Sequence, residues 1–161
     1  KVLEDSGDPY EILDFFPLGS DERQFCSPGF NLPMGSLMRT MYYKFPEYHT
    51  SADDLDFVSP QYLGDTYLKY LKVIEILEGN ETYICHNSKC EPQLGKRGFY
   101  NLIGGQNNHS YNKIALSWLL NLSDGTNSLL DIAIKSGLKF DIIKNNSELL
   151  IQADLLDKSA Q

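Results

Sequence analysis

The stretch DGTNSLLDIA at residues 124–133 decides the fold of the second half of the chain. The Asp and Gly at its start are turn-forming residues, and they follow Ser123. Thr126 and Asn127 are residue types that cap helices, and the leucine and isoleucine residues after them recur at helical spacing. The stretch therefore predicts a turn and then a helix that is capped by Thr126 or Asn127 and ends at Gly137.

Helical patterns flank this stretch on both sides. The upstream pattern is an apolar stripe of Ile114, Trp118, Leu119 and Leu122, and the downstream helix begins near Lys139 and carries Phe140, Ile143 and Leu150. A helix, a turn, a helix that ends in glycine and a further helix follow the order of a helix-turn-helix. We therefore predict a small, mainly α domain of this type in residues 106–161.

The charge of this region argues against the usual function of a helix-turn-helix. The whole chain has 22 acidic and 14 basic residues, and residues 110–161 contain five lysines, six acids and no arginine. Arginine is the commonest reader of guanine, and a surface of mixed charge gains little from counterion release. We expect a packing or interaction module here and regard nucleic acid as an unlikely partner, with a DNA-binding regulator as the disfavoured alternative.

A long helix is predicted from Pro60 to Glu78. Ser59 can cap it, proline suits the first helical position, and Gly79 suits the position after the end. Its apolar stripe consists of Leu63, Tyr67, Leu71, Ile74 and Leu77. A helix this long and amphipathic must pack on something large, and we expect a sheet that lies mostly upstream of Lys1.

Two short strands are predicted before this helix, at residues 9–16 and 36–40, with loops rich in Gly, Pro and Ser between them. The loops around these strands hold side chains that are able to do chemistry. Asp21 and Glu22 follow a glycine at a strand end and could line a cleft. From the residue pattern alone, a solvated loop is the favoured interpretation.

His49 is the candidate metal ligand. A neutral imidazole can bind zinc while a nearby carboxylate, such as that of Asp53, holds its other ring nitrogen. From the residue pattern alone, a solvated histidine beside acids is the favoured interpretation. Cys85, His86 and Cys90 offer three further ligands, but their spacing matches no common zinc finger, and a loop with reduced cysteines is the favoured interpretation.

Composition narrows the cellular setting. Three cysteines, an odd number, give no disulfide framework. No stretch approaches the roughly 18 apolar residues that a membrane-spanning helix needs. We therefore expect a cytoplasmic protein without a membrane partner. The chain begins at Lys1 rather than at methionine, and we expect it to be part of a longer protein.

Several motifs resemble one known family. The sequences GSDERQFCSPG at 19–29, MRT at 38–40, PEYHTSADDLD at 46–56 and CEPQLGKRG at 90–98 are similar to the end of the bacterial aminopeptidase-like domain family, which is often linked with polysaccharide-biosynthesis loci. The stretch at 124–133 resembles the winged helix-turn-helix tail that these proteins carry. The resemblance covers nearly the whole chain.

The resemblance implies a fold and a domain division. Residues 1–105 would be the C-terminal part of a three-layer α/β/α zinc-peptidase-like domain, and residues 106–161 would be a small, mainly α winged helix-turn-helix domain. The overall class would be α/β. The missing N-terminal part of the same domain would be the main partner, and a homo-oligomer is left open.

The family is itself similar to the wider group of zinc aminopeptidases, which includes leucyl aminopeptidases and glutaminyl cyclases. In that group a His-Thr-x-x-Asp motif supplies a zinc ligand, and residues 49–53 match it position by position. The resemblance therefore implies that His49 binds zinc and that Asp53 supports it.

A second motif of that group, Ser-Asp-His-x-Pro-Phe, lines the active site. Residues 20–25 match it at Asp21 and Phe25, whereas Glu22 departs from it. This departure puts ordinary aminopeptidase specificity in doubt. Arg39 is a further candidate, for binding a substrate carboxylate, although no motif supports that role.

The implied function is part of a zinc-dependent aminopeptidase-like hydrolase that cleaves an amide or peptide bond in a peptide or an amino-sugar conjugate. In the wider group the other metal ligands and the general base lie upstream of both motifs, so we expect this chain to be inactive by itself. The main alternative is a non-catalytic aminopeptidase-like binding or scaffold protein linked to polysaccharide biosynthesis.

Overall fold

The computed structural model describes residues 1–99 and 111–159. The described helices and strands, in chain order, are α1 (Val2–Ser6), α2 (Asp21–Phe25), α3 (Pro60–Gly79), β1 (Thr82–Cys85), α4 (Lys113–Leu122), β2 (Asp124–Ser128), α5 (Leu129–Ser136), α6 (Phe140–Gln152) and β3 (Leu156–Lys158), with a 3₁₀ turn at Leu94–Arg97.

Contacts between Cα atoms divide the chain into two units. One unit is Gly7–Tyr70, and the other is Lys1–Ser6 together with Leu71–Gln161. The boundary predicted between residues 105 and 106 lies outside the described residues. Residues 71–99 group with the helices of the second half of the chain, because β1 pairs with strands from that half.

The unit Gly7–Tyr70 is mostly irregular. The strands predicted at residues 9–16 and 36–40 are wrong, since both segments are irregular in the structure. A strand must pair its backbone N–H and C=O groups with a neighbour, and the strands that the structure describes all lie in the other unit.

Helix α3 is confirmed from Pro60 and runs to Gly79. Its predicted apolar stripe is exposed, since the side chains from Leu63 to Leu77 that form it are all at least 42% accessible. Ile76, which is not part of the stripe, is the residue of α3 that is buried. Within residues 1–99 and 111–159 no sheet covers the stripe. The sheet that the amphipathic pattern predicted is therefore not among the described residues.

The second unit has a small antiparallel sheet with strand order β2-β1-β3. Strand β1 pairs with β3 in the register Tyr83 to Lys158 and Cys85 to Leu156. The three helices predicted in this half are confirmed as α4, α5 and α6, and they pack with the sheet around one core. The fully buried large side chains of this core include Leu116, Leu119, Leu129, Ile132, Phe140, Ile143, Leu150, Leu155 and Leu156.

The cap of α5 differs from the prediction. Thr126 and Asn127 belong to β2, and Ser128 is the cap. The Ser128 hydroxyl accepts a hydrogen bond from the Asp131 N–H at 3.2 Å, and the Asp131 carboxylate accepts one from the Ser128 N–H at 2.8 Å. This reciprocal pair is a capping box, which moves the start of the helix one residue beyond the prediction. Gly137 ends α5 in the left-handed conformation, as predicted.

A buried amide joins α4 to α6. Asn146 is 4% exposed, and its Oδ1 accepts a hydrogen bond from the Asn112 N–H at 2.8 Å while its Nδ2 donates to the Ile142 carbonyl at 2.7 Å. Asn112 in turn caps α4, because its Oδ1 accepts from the Ala115 N–H at 3.1 Å. The Asn146 side chain therefore fixes where α4 begins relative to α6.

We predict that Asn146→Ala lowers the free energy of unfolding of the full chain by about 1–3 kcal/mol, since it leaves the half-buried Asn112 N–H without its acceptor. Asn145→Ala is the matched control because Asn145 is the exposed neighbour on the same helix, and its effect should stay within about 0.5 kcal/mol. Urea unfolding measures both, and equal effects would contradict the role given to Asn146.

Candidate functional site

His49 lies on an exposed, irregular loop with an unusual backbone. Its φ is +57°, in the left-handed region that non-glycine residues rarely adopt. The ring stacks on Tyr48 with centroids 4.2 Å apart and planes at 23°. The imidazole is therefore accessible to a ligand while its orientation is restricted by a neighbouring aromatic side chain.

Hydrogen bonds within the loop hold this conformation. The Thr50 N–H and hydroxyl both donate to the Glu47 carbonyl, at 3.0 and 2.8 Å. The Thr50 hydroxyl oxygen also accepts from the Ala52 N–H at 3.2 Å, and the Asp53 N–H donates to the Thr50 carbonyl at 3.2 Å. Threonine at position 50 thus closes the turn on which His49 sits. The Asp53 carboxylate is exposed and is not hydrogen-bonded to His49 in this structure.

Aromatic side chains form a platform beneath His49. Tyr48 contacts Tyr43 and Phe45 edge-on, with centroids 4.9 and 5.5 Å apart, and Phe45 stacks on Phe57 at 5.7 Å. Such pairs contribute about 0.5–1.5 kcal/mol each beyond area burial. The sequence reasoning missed this platform, although the density of tyrosine and phenylalanine at residues 42–48 was a visible signal.

Glu22 is the centre of a second cluster. It is 9% exposed, and its Oε1 accepts hydrogen bonds from the Tyr42 hydroxyl at 2.9 Å and the Ser20 N–H at 3.2 Å. Its Oε2 accepts from the Ser36 hydroxyl at 3.1 Å. Its own backbone N–H, and next the Tyr42 hydroxyl, lower the pKa of this carboxyl below its ordinary value. Glu22 is therefore ionised at neutral pH, and it ties together three parts of the chain.

Gly19 makes room for this cluster. A Cβ placed on Gly19 would lie 2.0 Å from the Glu22 Oε1 and 2.6 Å from the Tyr42 hydroxyl oxygen. Both distances are shorter than Cβ contacts in real structures, so any side chain at this position must displace the Glu22 carboxylate or the Tyr42 hydroxyl.

The two motifs meet through Tyr42. The Tyr42 hydroxyl donates a hydrogen bond to the Glu22 carboxylate. The centre of the Tyr42 ring is 6.3 Å from that of Tyr48, and the Tyr48 ring stacks on His49. A continuous series of contacts therefore links Glu22 to His49 across 27 positions of sequence. Tyr42 was not predicted, because nothing in the local sequence indicates a contact with Glu22.

The other candidates lie apart from this series. Asp21 is the exposed first residue of α2. Arg39 forms an ion pair with Asp65, and its guanidinium lies 4.6 Å from the centre of the Tyr62 ring. The charge of Arg39 is thus already paired within its own unit.

The described residues do not complete a metal site. No group of three or more His, Cys, Asp or Glu side chains that could hold a metal ion occurs in residues 1–99 and 111–159. Because structural zinc takes four protein ligands and catalytic zinc typically three, His49 supplies one ligand at most. The three cysteines are free thiols, as the sequence indicated.

His86 is held by contacts within its own unit. Its Nε2 lies 2.5 Å from the Asp157 carboxylate, and its Nδ1 lies 3.1 Å from the Asp154 carbonyl oxygen. The hydrogen bond to Asp157 is the main cause that raises the pKa of His86 above its ordinary value. The imidazolium therefore fastens the loop after β1 to the turn between α6 and β3.

Comparison with known proteins divides the chain into two parts, each of which matches its own family model. Residues 1–80 match the model of a domain of unknown function (DUF4910), and residues 81–158 match that of the winged helix-turn-helix. No helix of the described residues is long and apolar enough to cross a membrane.

One relative is a Clostridium acetobutylicum protein named "Putative polysaccharide biosynthesis protein with aminopeptidase-like domain", which is 54% identical over 156 residues, 97% of this chain and 36% of the relative. The crystal structure of a "putative peptidase" from Clostridium acetobutylicum has a TM-score of 0.86 and 50% identity, over 98% of this chain and 34% of that one. The resemblance to aminopeptidase-like proteins is thus confirmed, and the chain spans about a third of each relative.

We predict that Gly19→Ala lowers the free energy of unfolding by about 1–3 kcal/mol, because the added methyl group must displace the Glu22 carboxylate or the Tyr42 hydroxyl. Gly29→Ala is the control, since a Cβ there meets nothing within 4 Å. Thermal unfolding of the full chain compares the two. If the substitutions behave alike, the close approach at Gly19 is not required.

We also predict that stability falls as the pH rises above the ordinary histidine pKa of 6.5 and through the raised pKa of folded His86. The pKa of folded His86 is raised, so its contribution is fully present below the ordinary value of 6.5 and is lost as the pH passes the folded pKa. Asp157→Asn should flatten this dependence, whereas Asp141→Asn, which removes a carboxylate that pairs with Lys72, should preserve it. The melting temperature of each variant is measured as a function of pH. If it falls with pH as steeply in Asp157→Asn as in the unaltered chain, the contact between His86 and Asp157 is refuted.

Proposed function

Because this chain is homologous over nearly its whole length to an aminopeptidase-like protein, and carries a winged helix-turn-helix in residues 81–158, we propose that it is part of a zinc-dependent aminopeptidase-like hydrolase in which His49 is one zinc ligand. The reaction is cleavage of an amide or peptide bond, in a peptide or an amino-sugar conjugate. A crystal structure named for a peptidase, similar over 98% of the chain, supports the reaction class.

The observation that carries this proposal is the series of contacts from Glu22 through Tyr42 and Tyr48 to His49. Two loops that resemble active-site motifs of zinc aminopeptidases are brought to one place by a single tyrosine. The left-handed backbone of His49 supports it further, since strained conformations cluster at ligand-binding sites.

The residues of this chain fit the zinc site only in part. His49 offers an exposed imidazole nitrogen, and we assign to Asp53 the role of holding the other ring nitrogen once a metal is bound. Bound zinc would supply a water of pKa about 7 as the nucleophile. The remaining ligands belong to parts of the protein outside this chain, and Glu22 acts by holding Tyr42 and the loop rather than as a proton acceptor.

The surface of Gly7–Tyr70 supports a large covering partner. Glu22 is the one residue of this unit that is buried, whereas twenty of its large hydrophobic side chains are exposed. Soluble proteins rarely leave apolar patches of more than a few hundred Å² uncovered. We propose that the rest of a three-layer α/β/α aminopeptidase-like domain packs on this unit and on the stripe of α3. The threefold greater length of the relatives leaves room for such a domain.

The winged helix-turn-helix is proposed to be a packing or interaction module. Helix α6 takes the place of the recognition helix, and two of its charged residues are engaged within the unit. Lys72 pairs with Asp141 at 3.2 Å, and the Lys144 side chain lies against Gly79, where an added Cβ would meet it at 3.1 Å. The Lys144 contact leaves that ammonium group less free to reach a phosphate backbone, and Asp141 and Glu148 place carboxylates on the same helix.

The alternative function, a non-catalytic binding or scaffold protein of the same fold, is favoured by one observation. Both Glu22 and Arg39 are held by partners within the chain, so the charge of each is already engaged without a substrate. Metal analysis of the full-length protein separates the two functions, because only the hydrolase requires stoichiometric zinc.

We predict that His49→Ala in the full-length protein removes bound zinc and lowers kcat/KM for aminoacyl amide hydrolysis at least about a hundredfold. His86→Ala is the matched control, since it removes an imidazole that lies in the other unit. Atomic emission and a colorimetric amide assay provide the two readouts. The 161-residue chain alone should show neither zinc retention nor hydrolysis, because one ligand cannot hold a catalytic zinc.

Unchanged zinc content in His49→Ala would refute the assignment of the ligand. Stoichiometric zinc without hydrolysis of any amide would refute the enzyme and leave the scaffold function.

We further predict that the full chain shows no sequence-dependent retention of duplex DNA in a gel-shift assay at about 50 mM salt, where electrostatic binding is strong. Lys139→Glu, on the exposed residue before α6, should leave this result unchanged. Tight binding that Lys139→Glu abolishes would overturn the interaction-module proposal.

A further inference from the structure

A cavity in the winged helix-turn-helix unit belongs to no site described above. Its volume is about 430 Å³, and it lies between α4, the end of β1 and the loop that follows β1. Its polar lining includes the side chains of Asn87, Ser88, Ser117 and Asn121. Cavities of about 300–1,000 Å³ are of the size that holds a small molecule.

One buried group in the lining lacks a partner. Ser123 is 4% exposed, and its hydroxyl oxygen has no hydrogen bond in the described structure. Its backbone is fully used, since its N–H donates to Leu119 and its carbonyl accepts from Cys85. Because less than 1 Å² of that oxygen is accessible, Ser123 lies behind the surface of the cavity and leaves the contacts with a ligand to its neighbours Asn121 and Asp124.

The charge of the lining has one sign. Asp124 and Glu91 are its ionisable carboxyl groups, and no lysine or arginine is among the described residues that line it. The Asp124 Oδ1 accepts hydrogen bonds from the Thr126 N–H and hydroxyl, at 2.8 and 2.7 Å, and from the Asn127 amide at 3.2 Å. The hydroxyl of Thr126 is the main cause that lowers the pKa of Asp124 to about 2. The carboxylate is a fixed anion whose Oδ2 lies outside these bonds.

Apolar side chains complete the lining. Ile84 and Leu120 come from β1 and α4, and Pro92 comes from the loop. An apolar wall beside amide and hydroxyl groups suits a ring with C–H bonds on its faces and hydroxyl groups at its edge.

We propose that this cavity binds a small hydroxylated amine of the size of an amino sugar, with the ammonium group at Asp124 and a ring hydroxyl on Asn121. The site is independent of the proposed hydrolase and of His49.

The loop that supplies the outer wall is anchored at both ends. On the N-terminal side of the wall residues, His86 pairs with the Asp157 carboxylate. On their C-terminal side, the Arg97 guanidinium donates hydrogen bonds to the carbonyl oxygens of Ala153 and, at 2.9 Å, Asp154. The wall therefore keeps its position with no ligand present, which lowers the ordering cost of binding.

The test is a calorimetric titration of the full chain with glucosamine and, in parallel, with glucose, which lacks the amine. We expect saturable binding of glucosamine and at least about tenfold weaker binding of glucose. Asp124→Asn keeps the Oδ1 acceptor of the turn but removes the charge, and it should weaken glucosamine binding about tenfold while leaving glucose unchanged. Asp131→Asn removes a carboxylate outside the cavity and should have no effect.

A second variant, Ser117→Leu, fills the cavity from the exposed face of α4 and should abolish binding of both sugars without changing the melting temperature. Absence of saturable glucosamine binding up to roughly 10 mM would overturn the proposal. Equal affinity for glucose and glucosamine, or equal weakening by Asp124→Asn and Asp131→Asn, would also overturn it.

Discussion

The Glu22 carboxylate is the constraint on which the first unit depends. An ionised group with 9% exposure is tolerable only when its oxygens are hydrogen-bonded, and the donors here come from Ser20, Ser36 and Tyr42. These donors lie on three segments that share no strand or helix. Because hydrophobic burial is almost absent from Gly7–Tyr70, this polar cluster, rather than a core, sets the path of the chain up to the loop of His49.

Apolar spacing predicted the parts of the fold that follow from local rules. Helix α3 and the helices α4 to α6 are where the spacing places them, because an amphipathic helix displays its pattern in neighbouring residues. The strands at residues 9–16 and 36–40 were wrong for the opposite reason: a strand depends on a neighbour that is distant in sequence, and the described structure gives neither segment a strand to pair with. Ser128 was missed as the cap because Thr126, Asn127 and Ser128 are adjacent and all are residue types that cap helices. The pairing of β2 with β1 extends the strand to Ser128, and this makes Ser128 the cap.

In the candidate site, too, some residues could be predicted from local sequence and others could not. His49 follows from a five-residue motif, and the resemblance behind that motif is confirmed at the level of the protein. Its role as a zinc ligand, and that of Asp53 beside it, stay predictions. Tyr42 could not be predicted, because a contact between residues 20 positions apart has no local signature. The cavity beside Asp124 was equally invisible, since its lining comes from a helix, a strand and a loop that meet only in three dimensions.

The scarcity of buried side chains in Gly7–Tyr70 has a consequence for the life of the protein in a cell. A segment with almost no core has little free energy of its own to resist local opening. If the proposed domain covers this segment, the covering surface governs its survival, and an uncovered copy exposes backbone to proteases and apolar side chains to chaperones. Under that proposal, folding and assembly are one event for the segment, and the amount that accumulates follows the amount of complete protein made.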